Sequence, residues 1–243
     1  MPSNEQSHRR SISKHPGSRS SINGEKTKRD VIVIGASAGG VMALSNLFAS
    51  LAPDLPATLG VVLHRSAAPG ELAHVLGRRS ALPVIEPQGI APLKPGVIYL
   101  APPDHHLLFE DHQVAIQRGP KEHSARPAID PLFRSAAASF GKRAIGILLT
   151  GCGEDGVSGL IAISEASGVT LAQDPDDAYM PYMPMNALRF DDVDGVFVLQ
   201  DMPSVVKALV HGRAVERRSR GKPGQARRSQ DKQRQGTLLF PLA

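Results

Sequence analysis

A chain of 243 residues with 41% hydrophobic side chains is long enough to bury the core of one α/β domain. No apolar run is long enough to span a bilayer, no signal-peptide pattern is present, and a lone cysteine, Cys152, excludes an internal disulfide framework, so a cytoplasmic protein is expected. The net charge of +5 is unevenly spread: residues 1–29 hold seven Lys/Arg and two acidic residues, residues 211–243 hold nine and two, and the span between them is left at −7. Both ends are rich in Ser, Gly, Gln and basic residues and poor in aromatics, so two disordered basic tails, 1–29 and 211–243, are expected around a single domain over 30–210. Solubilising tails are the simplest reading. Tethering to an anionic membrane or an acidic protein is the alternative, and no specific nucleic acid is expected.

The first element is the β-branched run Val31–Ile34, which stops at Gly35-Ala36-Ser37-Ala38-Gly39. Val41, Leu44, Leu47, Phe48 and Leu51 then recur at helical spacing, so the context reads strand, tight turn, helix. The turn matches G-x-S-x-G, in which a serine nucleophile is presented above a sheet and N–H groups at the helix start can bind an oxyanion. A dinucleotide loop would want glycine where Ser37 stands.

Leu59–Leu63 reads as a buried strand ending on His64, and Val97–Ala101 as another, followed by Pro102-Pro103-Asp104-His105-His106. Asp130-Pro131 suits a helix start, with Asp130 as N-cap and Pro131 at the first helical position. Ala144–Leu149 is a further buried strand running into Thr150-Gly-Cys-Gly-Glu-Asp-Gly156. A helix is expected over Val157–Ser167, closed by Gly168, then a strand over Val169–Gln173. Pro181 and Pro184 argue against a regular helix through Met180–Met185, whose methionines suit a compliant substrate wall or core filler. Val196–Leu199 gives a last short strand.

Ser37, His64 and Asp155 thus each follow a predicted parallel strand, and sites in open α/β sheets form at the strands' carboxyl ends. That suits a Ser-His-Asp triad. The residues leave the base open between His64 and His105 or His106, with Asp104 an alternative acid. The chain order Ser, His, Asp departs from the α/β-hydrolase order. The remaining histidines show no paired metal spacing, and neither metal nor cofactor is expected.

Gly35–Gly40, the strand end at His64, Tyr99–Leu107, Arg126–Phe133 and Thr150–Gly156 together resemble the catalytic domain of the chemotaxis protein-glutamate methylesterase (CheB) family, in the family's order across about three quarters of the chain. The resemblance implies a doubly wound, mostly parallel sheet with helices on both faces. It implies a serine hydrolase that removes methyl esters from receptor glutamates, with glutamine deamidation as a side activity. It assigns Ser37 as nucleophile, His64 as base and Asp155 as third member. Ala38, Gly39, Gly40 and Cys152 fall near the oxyanion and substrate, and Arg126 is a candidate receptor contact. Methyl-accepting chemotaxis receptors would be the partners.

Three positions depart from the family pattern: Ala38 in place of threonine, Cys152 in place of methionine, and Tyr182 in place of the glycine of a Gly-Met-Pro sequence. Residues 1–29 are too few for a receiver domain, since an independent domain needs about 100 residues. A stand-alone unit governed by a separate regulatory protein, or by none, is therefore expected. An esterase or amidase with another substrate, or a binding module of the same fold, are the competing readings.

Overall fold

The structure, a computed structural model, describes residues 21–22, 27–191 and 193–216. In chain order the elements are β1 (Ser21–Ile22), β2 (Val31–Ala36), α1 (Gly40–Ala49), β3 (Thr58–Leu63), α2 (Leu72–Gly77), β4 (Val84–Ile85), β5 (Ala91–Pro92), β6 (Ile98–Leu100), β7 (His106–Glu110) and β8 (Gln113–Gln117). They continue as α3 (Ile129–Phe140), a 3-10 turn (Gly141–Arg143), β9 (Ala144–Leu148), α4 (Val157–Glu165), β10 (Val169–Gln173), α5 (Tyr182–Phe190), β11 (Gly195–Phe197), α6 (Met202–Val210) and β12 (Val215–Glu216).

Seven strands form one sheet in the order β11-β10-β9-β2-β3-β6-β4, every neighbouring pair parallel. The central strands β2, β3 and β9 are buried along their whole length, as continuous apolar runs require when both sheet faces are covered. On one face Ile32, Ile34, Leu59 and Val61 pack with Leu44, Leu47 and Phe48 of α1, Leu76 of α2 and Val206 and Leu209 of α6. On the other, Val31, Val33 and Val62 pack with Ile129, Leu132 and Phe133 of α3, Leu160 and Ile163 of α4 and Met183 of α5. The fold is the expected doubly wound α/β sheet.

Chain direction across the sheet sets the location of the site. From β2 the chain lays β3 beside it, places β4 at the edge and fills the gap between them with β6, then returns to lay β9 on the opposite side of β2 and continues outward through β10 and β11. The topological switch point lies between β2 and β9, and open α/β sheets form their sites at the strands' carboxyl ends at such a point. In register, Gly35 stands opposite Leu148 and Ala36 opposite Leu63, so the residues leaving β2, β3 and β9 emerge side by side.

Several local expectations are corrected. Val41, which shares the helical apolar spacing, is 45% exposed, because the buried face of α1 is made by Gly40, Ala43, Leu44, Leu47 and Phe48. The start of α3 lies two residues earlier than expected: Ala128 is the N-cap and Asp130 and Pro131 sit inside the first turn. A regular helix does form over Tyr182–Phe190, since Pro181 is its N-cap and Pro184 falls in the first turn, where an N–H has no intrahelical acceptor to lose. The left-handed residue ending α4 is Ser167 (φ 63), while Gly168 sends its N–H back to the Ile163 carbonyl at 2.8 Å.

A three-stranded antiparallel sheet, β5-β8-β7, leaves the main sheet after β6, with Asp111 and His112 both left-handed in the hairpin turn. Ser21 and Ile22 pair antiparallel with Glu216 and Val215, and Ile22 joins the core, so structured residues occur on both sides of the 30–210 span. The rest of the two basic segments, residues 1–20, 23–26 and 217–243, lies outside the described residues.

Candidate active site

Ser37 is the first residue after β2, His64 the first after β3, and Asp155 closes the loop between β9 and α4. The backbone ties these three strand ends together. Ser37 N–H donates to the Thr150 carbonyl at 3.0 Å, His64 N–H to the Ala36 carbonyl at 3.0 Å, and Leu149 N–H to the Gly35 carbonyl at 2.9 Å. Sheet hydrogen bonding thus runs on past the strands and fixes the loops that carry the side chains.

The three side chains form one continuous hydrogen-bonded row. His64 Nδ1 lies 3.2 Å from Ser37 Oγ, and His64 Nε2 lies 2.7 Å from Asp155 Oδ2. Asp155 is 1% exposed. Burial pushes its carboxyl pKa upward, but hydrogen bonds from His64 and from the Ile129 and Asp130 N–H groups outweigh this and hold it below the ordinary value. An ionised Asp155 accepts only, so it fixes the His64 proton on Nε2 and leaves the Nδ1 lone pair facing Ser37. The imidazole edge turned to the serine is therefore Nδ1, the reverse of the chymotrypsin template.

The loop after β2 is not a strained nucleophile elbow, because Ser37 keeps a negative φ. Gly39 takes the left-handed conformation (φ 79), and a Cβ there would meet the Tyr179 side chain at 2.8 Å. Gly40 N–H closes the turn on the Ser37 carbonyl at 2.8 Å. Among the described residues the Ala38 and Gly39 N–H groups have no acceptor. Of the three positions expected near an oxyanion, these two leave their N–H groups without an acceptor, while Gly40 spends its own on the turn.

Residues the sequence brought forward only as part of a loop hold this arrangement. Thr150, 1% exposed, donates its hydroxyl to the Ala38 carbonyl at 2.9 Å and accepts the Met180 N–H at 2.8 Å. Its own N–H donates to Oε1 of the buried Gln173, whose amide in turn donates to Asp177. Met183 N–H donates to the Gly151 carbonyl, bringing α5 against the serine loop. The available signal was a polar residue, Thr150 or Gln173, at the end of an otherwise apolar strand. Tyr182, at the position where the family pattern has glycine, is the first residue of α5 with an ordinary φ and a ring 56% exposed, so no glycine conformation is needed there.

The alternative bases and acid are occupied elsewhere. His105 Nδ1 is 2.9 Å from the Pro103 carbonyl, and buried His106 spans the Pro120 carbonyl and the Ala128 N–H. Arg126 Nε and Nη2 both donate to Asp104 Oδ1, at 2.8 and 2.6 Å, and Nη1 donates to the Gly119 carbonyl at 2.7 Å. The Arg126 guanidinium holds the Asp104 carboxyl below its usual range, helped by Arg118. Cys152 is an exposed free thiol.

One side-chain group has the composition of a metal site: ligand atoms of His123, Asp130 and Asp155 lie within 4.8 Å of one another. Its oxygens already accept protein donors. Asp130 Oδ1 takes the Gly156 and Gly159 N–H groups, its Oδ2 faces His123, and both Asp155 oxygens take N–H groups of α3. A cation would have to displace these hydrogen bonds, so the donor set fits helix capping rather than ligation.

Comparisons with known proteins agree with this geometry. The family described as CheB methylesterase matches residues 32–206. A protein-glutamate methylesterase/protein-glutamine glutaminase 2 of Anaeromyxobacter dehalogenans (strain 2CP-C) is 38% identical over 181 residues, 74% of this chain and 53% of that protein. A protein-glutamate methylesterase/protein-glutamine glutaminase of Moorella thermoacetica (strain ATCC 39073 / JCM 9320) is 36% identical over 195 residues, 78% of this chain and 46% of that protein. The chain therefore spans about half the length of these relatives, but 90% of a putative protein-glutamate methylesterase/protein-glutamine glutaminase of Leptospira interrogans serogroup Icterohaemorrhagiae serovar Lai (strain 56601), at 34% identity. The crystal structure of the Thermotoga maritima CheB methylesterase catalytic domain superposes with a TM-score of 0.69 at 30% identity, covering 76% of this chain and all of that one. With a family match across most of the domain and a solved relative matched over its full length, the chain belongs to the CheB methylesterase family.

Proposed function

We propose that this chain hydrolyses methyl esters of glutamate side chains in methyl-accepting chemotaxis receptors, with Ser37 as nucleophile, His64 as general base and acid, and Asp155 as its orienting partner. The observation that carries the reading is the unbroken row from Ser37 Oγ through His64 to Asp155 at the switch point of the sheet. His64 Nδ1 takes the hydroxyl proton as Ser37 Oγ attacks the ester carbonyl, and the buried Asp155 carboxylate stabilises the imidazolium that results. The oxyanion forms beside the Ala38 and Gly39 N–H groups; one such donor is typically worth about 3–4 kcal/mol of barrier. The Nδ1 proton then passes to the departing methoxide, methanol leaves, and a water activated by the same nitrogen releases the free carboxylate. Attack on a glutamine amide follows the same path with ammonia as leaving group, in keeping with the second activity named for the relatives.

A cytoplasmic setting is part of the same proposal, supported by the family membership; among the described residues no helix is long and apolar enough to cross a membrane. Tethering of the basic end segments to an anionic membrane or acidic protein is part of the same proposal and rests on sequence. The test is methanol release from a methylated receptor signalling domain, comparing the protein with Ser37→Ala. Release that vanishes in the variant supports the scheme. Undiminished release by Ser37→Ala, or none from folded wild type, sinks it.

A further inference from the structure

The geometry points to Asp130 as a positioning residue of the active site, which holds Asp155 in place through a pair of exchanged helix caps and is itself held from behind by His123. This rests on the reading of Ser37, His64 and Asp155 as the reacting groups.

Asp130 is an acidic residue 1% exposed in the first turn of α3. Its Oδ1 accepts the N–H groups of Gly156, at 3.0 Å, and Gly159, at 2.7 Å, which open α4. Asp155, directly before Gly156, returns the arrangement: its Oδ1 accepts the Asp130 N–H at 2.9 Å and its Oδ2 the Ile129 N–H at 2.7 Å, which open α3. Neither helix is capped by the side chain of its own N-cap residue. Each carboxylate satisfies the orphan donors of the helix that the other one begins.

This exchange couples capping to catalysis. Asp155 Oδ2 serves both His64 Nε2 and the Ile129 N–H, so the carboxylate cannot turn without breaking both. Where α3 stands relative to α4 therefore sets where Asp155 stands relative to His64. Asp130 is the side chain that fixes that relation, aided by the close seating of Phe133 on Gly159, where an added Cβ would fall 2.4 Å from the Phe133 Cβ.

The network continues outward. His123 Nε2 lies 3.0 Å from Asp130 Oδ2, with Arg134 Nη1 at 4.0 Å. His123 and Ser124 are both left-handed, φ 49 and 62, in a turn closed by paired hydrogen bonds between Glu122 and Ala125. Two consecutive non-glycine residues in that region are costly, and such strain persists only where the surroundings hold it. Here the turn delivers His123 to Asp130, and beside it both carboxylate oxygens of Glu122 accept from Arg134 Nη2 at 2.8 Å. A cap that served stability alone would leave the chemistry at Ser37 indifferent to Asp130.

The experiment follows Ser37 phosphonylation by a fluorophosphonate ester, which reads serine activation without any receptor, in Asp130→Ala, Asp130→Asn and His123→Ala. The amide of asparagine can still accept the Gly156 and Gly159 N–H groups. We expect labelling in Asp130→Ala to slow by roughly 10- to 100-fold, the scale on which a displaced catalytic group loses rate. Asp130→Asn should recover most of it, and the His64 Nε2 proton resonance, taken by NMR with no ester present, should be lost in the alanine variant and kept in the asparagine one. A folded Asp130→Ala that labels at the wild-type rate with that resonance intact overturns the proposal. Should Asp130→Ala fail to fold, His123→Ala decides: slowed labelling in a folded protein supports the network, and an unchanged rate overturns it. Wild type that labels at Ser37 yet releases no methanol from receptors would instead sink the substrate reading, leaving Asp130 to be judged on the labelling rates.

Discussion

Thr150 holds Ser37 and its neighbour across the gap between β9 and β2: the Ser37 N–H donates to the Thr150 carbonyl at 3.0 Å, and the Thr150 hydroxyl donates to the carbonyl of the next residue, Ala38, at 2.9 Å. Because the same hydroxyl accepts the Met180 N–H at 2.8 Å, one buried oxygen links the serine loop, the loop after β9 and the approach to α5. Thr150→Val keeps the shape and removes the hydroxyl, leaving the Ala38 carbonyl and the Met180 N–H unpartnered. We expect a loss of about 1–3 kcal/mol in urea unfolding, the usual penalty for orphaned buried polar groups, and slower labelling of Ser37. Wild-type stability together with a wild-type labelling rate would show that the hydroxyl is dispensable.

Gly151 is tightly enclosed between Met183 and Ser37. A Cβ there would lie 2.1 Å from Met183 Sδ and 2.7 Å from Ser37 Cβ. The flexible Met183 side chain can yield, but the Ser37 Cβ is tied to a strand end held by sheet hydrogen bonds. Gly151→Ala should therefore cost about 1–3 kcal/mol as an overpacked core position does, and should suppress turnover by more than that stability loss explains. The check is methanol release from protein that circular dichroism shows to be folded. Full activity would mean that Ser37 does not need its present place.

Arg126 separates two roles that one residue type can play. Its fork on Asp104 and its third bond, to the Gly119 carbonyl, tie together the segments that precede α3. We expect Arg126→Ala to lower the melting temperature while KM for a methylated receptor fragment stays within about twofold of wild type, since a group removed from uniform substrate binding would raise KM. A large rise in KM with unchanged melting would assign the guanidinium to the substrate instead.

Sequence made the strand ends legible because chemistry and periodicity coincide there. Val31–Ile34, Leu59–Leu63 and Ala144–Leu149 are unbroken apolar runs, and Ser37, His64 and Asp155 follow them. Periodicity could not separate His64 from His106, since both stand beside strand ends; the family resemblance made that choice, and the structure sets His106 against the Pro120 carbonyl. The role of Asp130 was illegible for a different reason. Local capping rules look a few residues along the chain, whereas its carboxylate caps a helix that begins 27 residues later. The helix at Tyr182 is hidden in the sequence because Pro184 reads as a breaker, and only the fold puts it in the first turn, where a proline is tolerated.

Asp155 makes the acid behaviour of the fold specific. Its folded carboxyl pKa lies below the ordinary value: burial opposes this, and hydrogen bonds from His64, Ile129 and Asp130 outweigh the burial. For a carboxyl depressed on folding, the stabilisation is full above the unfolded pKa, about 3.9, and is lost as pH falls through the lower folded value. Asp155→Asn lacks that titration, so the stability gap between wild type and variant should begin to narrow as pH falls to about 4 and close further only below that. Urea unfolding of both proteins from about pH 5 downward measures the gap directly, and titrations of groups out of contact with Asp155 cancel in the difference. A gap independent of pH down to the acid transition would mean that Asp155 is not an ionised, hydrogen-bonded carboxylate in the folded protein, and His64 would then lack the partner that holds its proton on Nε2.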